Sequence, residues 1–349
     1  MKANTIFLFI AFVYFFIATI HALYVGKIVY GDGIYYYSWL RSVVVDHDID
    51  FTNEYKALGG TQPLTSSGLP GNKYSIGPSL FWSPFYLMAP HQLTLGFVSV
   101  FYAITGLVLL YRLLAKSFSQ TVSLLTVLTI AFATNLFFYG SVDPVNSHAF
   151  SFFTVALFLS FLYAKKKSWF AIGVTLGLVG TVRPQDMIVG LLMRRVKWQP
   201  FLAGVVIGFL PQILSWQALY GNLLAFPYLT GGEGFSFSLS NVFGVLFVPS
   251  NGLFLWTPVT LLGLVGLFWF RKLYAVIFLL QLFIVASWST WWQGASYSGR
   301  MFVGMLPLLA FGIAWVISKL KIYKPALYLL VGSLSSINAL LIIYFLASR

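Results

Sequence analysis

The chain has 349 residues and a mass of 39.0 kDa; 59% of it is hydrophobic and only 8% charged, with a mean hydropathy of +0.86. A soluble protein carries roughly 25% charged residues, so this composition leaves too little polar surface for a water-soluble body. The net charge of +13 does not point to nucleic acid, because the lysines and arginines sit in short clusters between apolar runs, and the absence of cysteine excludes disulfides, thiolate metal sites and cysteine nucleophiles.

The composition describes an all-α polytopic membrane protein, a single transmembrane domain over 1–349 with no soluble domain. The first apolar run, Ile6–Val25, follows Met1-Lys2; it exceeds a signal-peptide core, lacks a small-residue cleavage site and reads as a retained first span. Residues 27–93 form the first extracytoplasmic loop. Its Tyr35, Tyr36, Tyr37, Trp39, Phe81, Trp82, Phe85 and Tyr86 suit helices lying in the headgroup layer, and the short run Ser79–Ala89, interrupted by Pro84, is placed there rather than across the bilayer. Further apolar runs fall at 94–114, 121–140, 147–164, 200–219, 252–270, 273–288, 301–317 and 325–346. The unit 168–193, broken at Thr181-Val182-Arg183-Pro184, reads as a broken or re-entrant hairpin. The expectation is about 10 transmembrane helices plus that hairpin.

Charge sets the expected orientation. With the N-terminus inside, fourteen of the 21 basic residues fall on cytoplasmic connections: Lys2, Arg112, Lys116, Lys165, Lys166, Lys167, Arg194, Arg195, Lys197, Arg271, Lys272, Lys319, Lys321 and Lys324. Lys27, Arg41, Lys56, Lys73, Arg183, Arg300 and Arg349 do not. All eight acids (Asp32, Asp46, Asp48, Asp50, Glu54, Asp143, Asp186 and Glu233) fall on or near the outer side, Asp186 the deepest, with His21, His47, His91 and His148. Any chemistry is expected to face the periplasm or the exterior.

Asp32, in Tyr30-Gly31-Asp32-Gly33 just after the first span, has two readings. It is either a carboxylate at the edge of a cavity, suited to general-base work, or a cap on the helix beginning near Ile34. The run Asp46-His47-Asp48-Ile49-Asp50-Phe51-Thr52-Asn53-Glu54-Tyr55 alternates acids, so Asp46, Asp48 and Asp50 are candidates for a divalent metal, or for a loop held by Asp side-chain turns. Lys73-Tyr74 returns the chain to headgroup level, where the lysine meets a phosphate or anchors to lipid. Asp143 and His148 share the outer connection before the 147–164 run, where they could orient or deprotonate a hydroxyl. Arg183 and Asp186 are costly in a membrane unless they serve a function or pair with each other.

The stretch Trp288 to Arg300 interleaves Trp291, Trp292 and Gln293 with glycines. The tryptophans alone would be an interfacial belt; the glycines and the terminal arginine suit a backbone approaching a sugar or phosphate. Glu233, in Gly231-Gly232-Glu233-Gly234, reads as part of a mobile outer loop. Gly-rich phosphate loops, GxSxG elbows and HExxH are lacking, which argues against ATP-driven work.

The ordered series of these pieces resembles the GT-C superfamily of integral membrane glycosyltransferases that use polyprenyl-phosphate sugars. More closely, it is similar to the bacterial branch near protein O-mannosyltransferases and lipid A aminoarabinose transferases. The series runs Gly31-Asp32-Gly33, Asp48-Ile49-Asp50-Phe51, Asn53-Glu54-Tyr55, Lys73-Tyr74, Gly77-Pro78, Trp82-Ser83-Pro84-Phe85, Asp143 to His148, Arg183-Pro184-Gln185, Gly252 to Pro258, and Trp291-Trp292-Gln293-Gly294 through Gly299-Arg300. The resemblance implies a GT-C-like fold in the bacterial inner membrane, a polyprenyl-phosphate-linked sugar donor, and a lipid, polysaccharide or protein acceptor at the outer face.

In that reading Asp32 is the general base, with Asp143 and His148 beside it, and transfer inverts the anomeric centre. Lys73, Arg183 and Arg300 bind the donor phosphate. Asp48, Asp50, Asn53, Glu54, Tyr55, Tyr74, Trp291, Trp292 and Gln293 contact substrate. No cofactor is required, with a divalent cation left open. Gly33 stands where some branches carry a second acid, so a paired-acid metal site at Asp32 is not expected. The rival readings are a lipid or glycan transporter, such as a flippase, and a non-catalytic scaffold of the same fold.

Overall fold

A computed structural model describes residues 3–320 and 324–348. Lys2, Lys321 and Arg349 lie outside the described residues. The architecture is all-α; among the described residues the only β-type pairings are two isolated bridges.

Helix α1 (Ala3–Val25) buries Ile6, Ile10, Tyr14, Ala18 and Ala22, one stripe at every fourth position, and leaves Leu8, Phe12 and Phe16 outward. Tyr14 fixes it to the bundle by donating to the Ala131 carbonyl at 2.6 Å. The first loop contains α2 (Gly33–Arg41), α3 (Thr52–Leu58) and α4 (Gly77–Met88), none long enough to cross. Helix α5 (Gln92–Leu114) follows.

The run expected as one span at 121–140 is instead bent by 60° between α6 (Gln120–Phe132) and the segment Asn135–Val142, which begins with α7 (Asn135–Phe137). Thr134 causes the break: its hydroxyl donates back to Ile130 at 2.6 Å and accepts from Leu136 N at 3.2 Å, ending one helix and capping the next.

Helix α8 (His148–Leu162) buries twelve of its 15 residues, which makes it the central element. Helix α9 (Trp169–Val182) stops at Arg183, whose backbone is extended, and a 3-10 segment, Pro184–Leu192, takes over. The cause is Pro184, which has no N–H to give and disfavours helical backbone before it. Next come α10 (Trp198–Tyr220), α11 (Val242–Phe247), α12 (Leu253–Trp256), α13 (Val259–Phe270) and α14 (Lys272–Ser287). A 3-10 turn, Arg300–Met305, leads into α15 (Leu306–Lys319), and α16 (Lys324–Ala347) closes the described chain.

Among the described residues five helices are long and apolar enough to cross a membrane, or six if the bent pair counts as one span; α8, α9, α13 and α14 are apolar but shorter. Two pairs are drawn together by glycine. A Cβ on Gly208 of α10 would lie 2.2 Å from the Val174 carbonyl of α9, and one on Gly312 of α15 would lie 1.9 Å from the Gly263 carbonyl of α13. Such backbone contact replaces the hydrophobic drive that lipid does not supply.

Candidate active site

The site is assembled where the start of α2 meets the connection before α8 and the turn before α15. Gly31 takes a left-handed conformation (φ +54°), and a Cβ on Gly33 would lie 2.4 Å from the Val145 carbonyl. The two glycines therefore let the 143–148 connection press against Asp32. Asp32 sits at the cap position of α2 yet makes no side-chain capping bond. Its Oδ2 accepts from Arg300 Nη1 at 2.6 Å and its Oδ1 from the Tyr74 hydroxyl at 2.9 Å. Both members of the ion pair remain about a quarter exposed, so solvent reaches them.

Arg300 is held by the loop before it. Gln293, nearly buried, accepts from Met301 N at 2.9 Å; Asn251 donates to the Trp292 and Gly294 carbonyls at 2.6 and 3.1 Å; Thr257 and Ser298 share a bond of 2.7 Å. Gln293 thus holds backbone rather than facing the hollow. Trp291 packs on α11, where a Cβ on Gly244 would lie 2.5 Å from its ring, and Trp292 is exposed. Of the three, Trp292 is the one free to meet a ligand.

Tyr74 stacks on Tyr35 (centroids 4.8 Å apart, planes within 8°) and meets the ring of Tyr36 edge-on. Burial, reinforced by the charge of Asp32, pushes its phenol up, so it stays a donor. Lys73 forms an ion pair with Glu233 and lies 5.5 Å from the Tyr228 ring centroid. Glu233 also accepts from Trp288 Nε1 at 3.0 Å and Thr290 Oγ1 at 3.2 Å. The loop read as mobile is therefore tied down: Gly234 N donates to Ser289 Oγ at 3.0 Å and Ser289 N to the Gly234 carbonyl at 2.8 Å.

Arg183 is nearly buried and has no carboxylate partner among the described residues. Its Nη1 donates to Ser147 Oγ at 2.9 Å and lies 3.4 Å from His148 Nδ1. Gln185, with its amide oxygen turned inward, accepts from Nη2 and Nε at 2.7 and 2.9 Å. Tyr36 donates to the same Ser147 oxygen at 2.9 Å, and four positions after Asp32 it lies on the same face of α2. The pairing of Arg183 with Asp186 is not formed. Asp186 Oδ2 accepts from Ser151 at 2.6 Å and would lie 2.5 Å from a Cβ on Gly304, while its Oδ1 has no partner among the described residues.

Asp143 faces Tyr30 and Asn146. Burial, with the negative charge of Asp32, pushes its carboxyl up to about 7, against the pull of Arg300 and its two hydrogen-bonding neighbours. His148 opens α8 with its ring 4.4 Å from that of Tyr139. Asp32, paired with Arg300, thus stands near a second acid, Asp143, whose carboxyl burial raises.

The acid-rich segment does not join this hollow. Asp48 accepts from Ser42 Oγ at 2.5 Å and Asp50 N at 3.1 Å, and Asp50 accepts from Thr52 N and Oγ1 at 3.0 and 2.6 Å. Asp46 accepts from Asn53 at 2.8 Å. These are turn bonds, and among the described residues no three His, Asp or Glu side chains are grouped to hold a metal ion. Glu54 is fully buried, 4.0 Å from Arg41, and among the described residues no donor bonds to its carboxylate oxygens. Burial first, and the neighbouring Asp46 second, push its carboxyl up to about 7. Tyr55 donates to the Gly71 carbonyl at 2.8 Å and touches the site only through Tyr35, whose ring it meets edge-on.

Tyr36, Ser147, Tyr228 and Asn251 complete the site without having been named as site residues, and Glu233, read as part of a mobile outer loop, joins them. For Tyr36 the spacing from Asp32 was the available signal; for Glu233 no local pattern announces a partner 160 positions away. No family model matches the chain, and neither a curated protein nor a solved structure matches it.

Proposed function

We propose that the protein is an inverting membrane glycosyltransferase of GT-C-like fold. In this reading about ten segments cross or enter the bacterial inner membrane, and the Asp32 hollow faces the periplasm or exterior. Asp32 takes the proton from an acceptor hydroxyl as that oxygen attacks the anomeric carbon. The bond from that carbon to the phosphate oxygen breaks, and the electron pair leaves with the polyprenyl phosphate. Arg183, the buried guanidinium with no acid against it, receives the developing phosphate charge. Arg300 is shared: it pairs with Asp32 and turns toward the phosphate of the bound donor, which frees the carboxylate for the acceptor hydroxyl. Asp143 and His148 orient the acceptor, and Lys73 is the rim cation on the Tyr74 side.

The single observation that supports this reading is the side chain of Asp32. A helix cap would have turned to its own backbone; this one turns away from it, to Arg300 and Tyr74. The test is direct. Purified protein in liposomes is given polyprenyl-phosphate sugars and a panel of lipid, glycan and peptide acceptors, and products are read by mass spectrometry. Sugar-bearing product with release of polyprenyl phosphate supports the proposal. Movement of the lipid-linked sugar between leaflets without bond cleavage would instead establish the transporter.

A further inference from the structure

The end of the bundle remote from Asp32 holds a cavity of about 350 Å³. His148 of the active-site hollow opens α8 and Leu162 of this cavity ends it, a separation of about 20 Å along one helix at 1.5 Å per residue. Lys167, Arg194, Arg271 and Lys272 stand around the mouth on three different connections, and an adjoining cavity of about 140 Å³ adds Lys116. The floor is ordered: Tyr274 donates to the Tyr163 hydroxyl at 2.6 Å, Lys116 donates to the Tyr163 carbonyl at 3.0 Å, and the Arg271 guanidinium lies over the Phe270 and Tyr274 rings.

No acid lines either cavity, and no ion pair reaches any of these five cations among the described residues. Basic residues that only set membrane orientation need to face water on their own connections. These five are exposed in the same way, but orientation alone does not require cations from separate connections to converge on one shared cavity with no acid among them. The first turn of α14 adds to the positive field, since Arg271 and Lys272 stand at its start with no acid beside them.

We infer that this cavity binds a phosphate-bearing anion, the chemistry common to an anionic phospholipid headgroup and to soluble phosphate. The cations surround the phosphate, and the tyrosine and leucine floor takes the apolar stem of a lipid where there is one. The inference is independent of the proposed transfer reaction.

Native mass spectrometry of the whole protein tests it in two arms, one with phosphatidylglycerol against phosphatidylcholine and one with inorganic phosphate. Arg194→Gln with Arg271→Gln removes two cavity charges, while Lys165→Gln with Lys166→Gln removes two from the same face outside the lining. The expected result is preferential binding of phosphatidylglycerol, of phosphate or of both. The cavity variant should bind about tenfold less or weaker still, and the control variant should match the wild type. Binding in the first arm alone identifies a lipid headgroup, and in the second a soluble phosphate. Equal loss in both variants, or wild-type protein that binds neither probe above the phosphatidylcholine level, overturns the inference. The last criterion stands even where a variant does not fold.

Discussion

Asp32 and Arg300 lie 268 positions apart and meet as an ion pair of 2.6 Å. The contact closes the front of the molecule on itself, the start of α2 against the turn that feeds α15, and each partner has a second tether. Tyr74 holds Asp32, and the loop pinned by Asn251 and Gln293 holds Arg300.

Arg300→Ala leaves Asp32 with Tyr74 alone and, under the proposed function, removes one hydrogen-bond donor to the phosphate. Transfer is expected to fall about 10²- to 10³-fold, the range seen when one donor to developing charge is removed. Arg300→Lys restores the charge but not the fork and recovers only part of the rate. Steady-state kinetics on both variants check this, and an Arg300→Ala enzyme at wild-type rate would refute the shared role.

Glu233 is expected to matter more to stability than its ion-pair partner. Lys73→Ala removes one donor from Glu233, whereas Glu233→Ala strands Lys73, Trp288 and Thr290 together. Thermal unfolding in detergent should show the larger loss for Glu233→Ala, with the two differing by about 1–3 kcal/mol.

The pH dependence of stability has a definite sign at Glu54. Its folded carboxyl is raised to about 7, so between the ordinary glutamate range and that value the folded state holds a proton the unfolded chain has lost. Stability from this group is therefore present at pH 5 and declines as pH rises through 7. Glu54→Gln keeps a neutral donor toward Asp46 and should remove this decline, raising the melting midpoint at pH 8 by a few degrees, on the order of 1 kcal/mol or more. Melting curves at pH 5 and 8 for both proteins decide it.

Gly312→Ala tests the packing of α13 against α15. The added Cβ would sit 1.9 Å from the Gly263 carbonyl, so the helices must part, at about 1–3 kcal/mol. Unfolding measurements should place this loss well above that of Gly332→Ala, whose Cβ meets nothing within 4 Å.

Much of the fold was legible because apolar length and proline act locally. The break at Arg183-Pro184, the long helices α1, α5, α10 and α16, and the short helices of the first loop all follow from run length and a missing N–H. The bend at Thr134 was not legible, since a single hydroxyl bonding forward and back leaves no mark on a hydropathy profile. The run 273–288 matches α14 within a residue, whereas the run 252–270 is divided at Thr257-Pro258 into α12 and α13.

In the site, the glycines around Asp32 and the polar turn ending at Arg300 marked their own positions. The roles within each segment were less readable. Alternating aspartates serve a turn as well as a metal, and here Asp48 and Asp50 are spent on Ser42 and Thr52. Pairings such as Lys73 with Glu233 depend on tertiary folding alone.

The most direct test of the account is the initial rate of sugar transfer from a radiolabelled polyprenyl-phosphate donor by wild-type and Asp32→Asn protein, with donor binding measured in parallel. The account predicts that the variant folds, still binds donor, and loses transfer by about 10²-fold or more, the scale of a missing general base. Undiminished transfer by Asp32→Asn would contradict it.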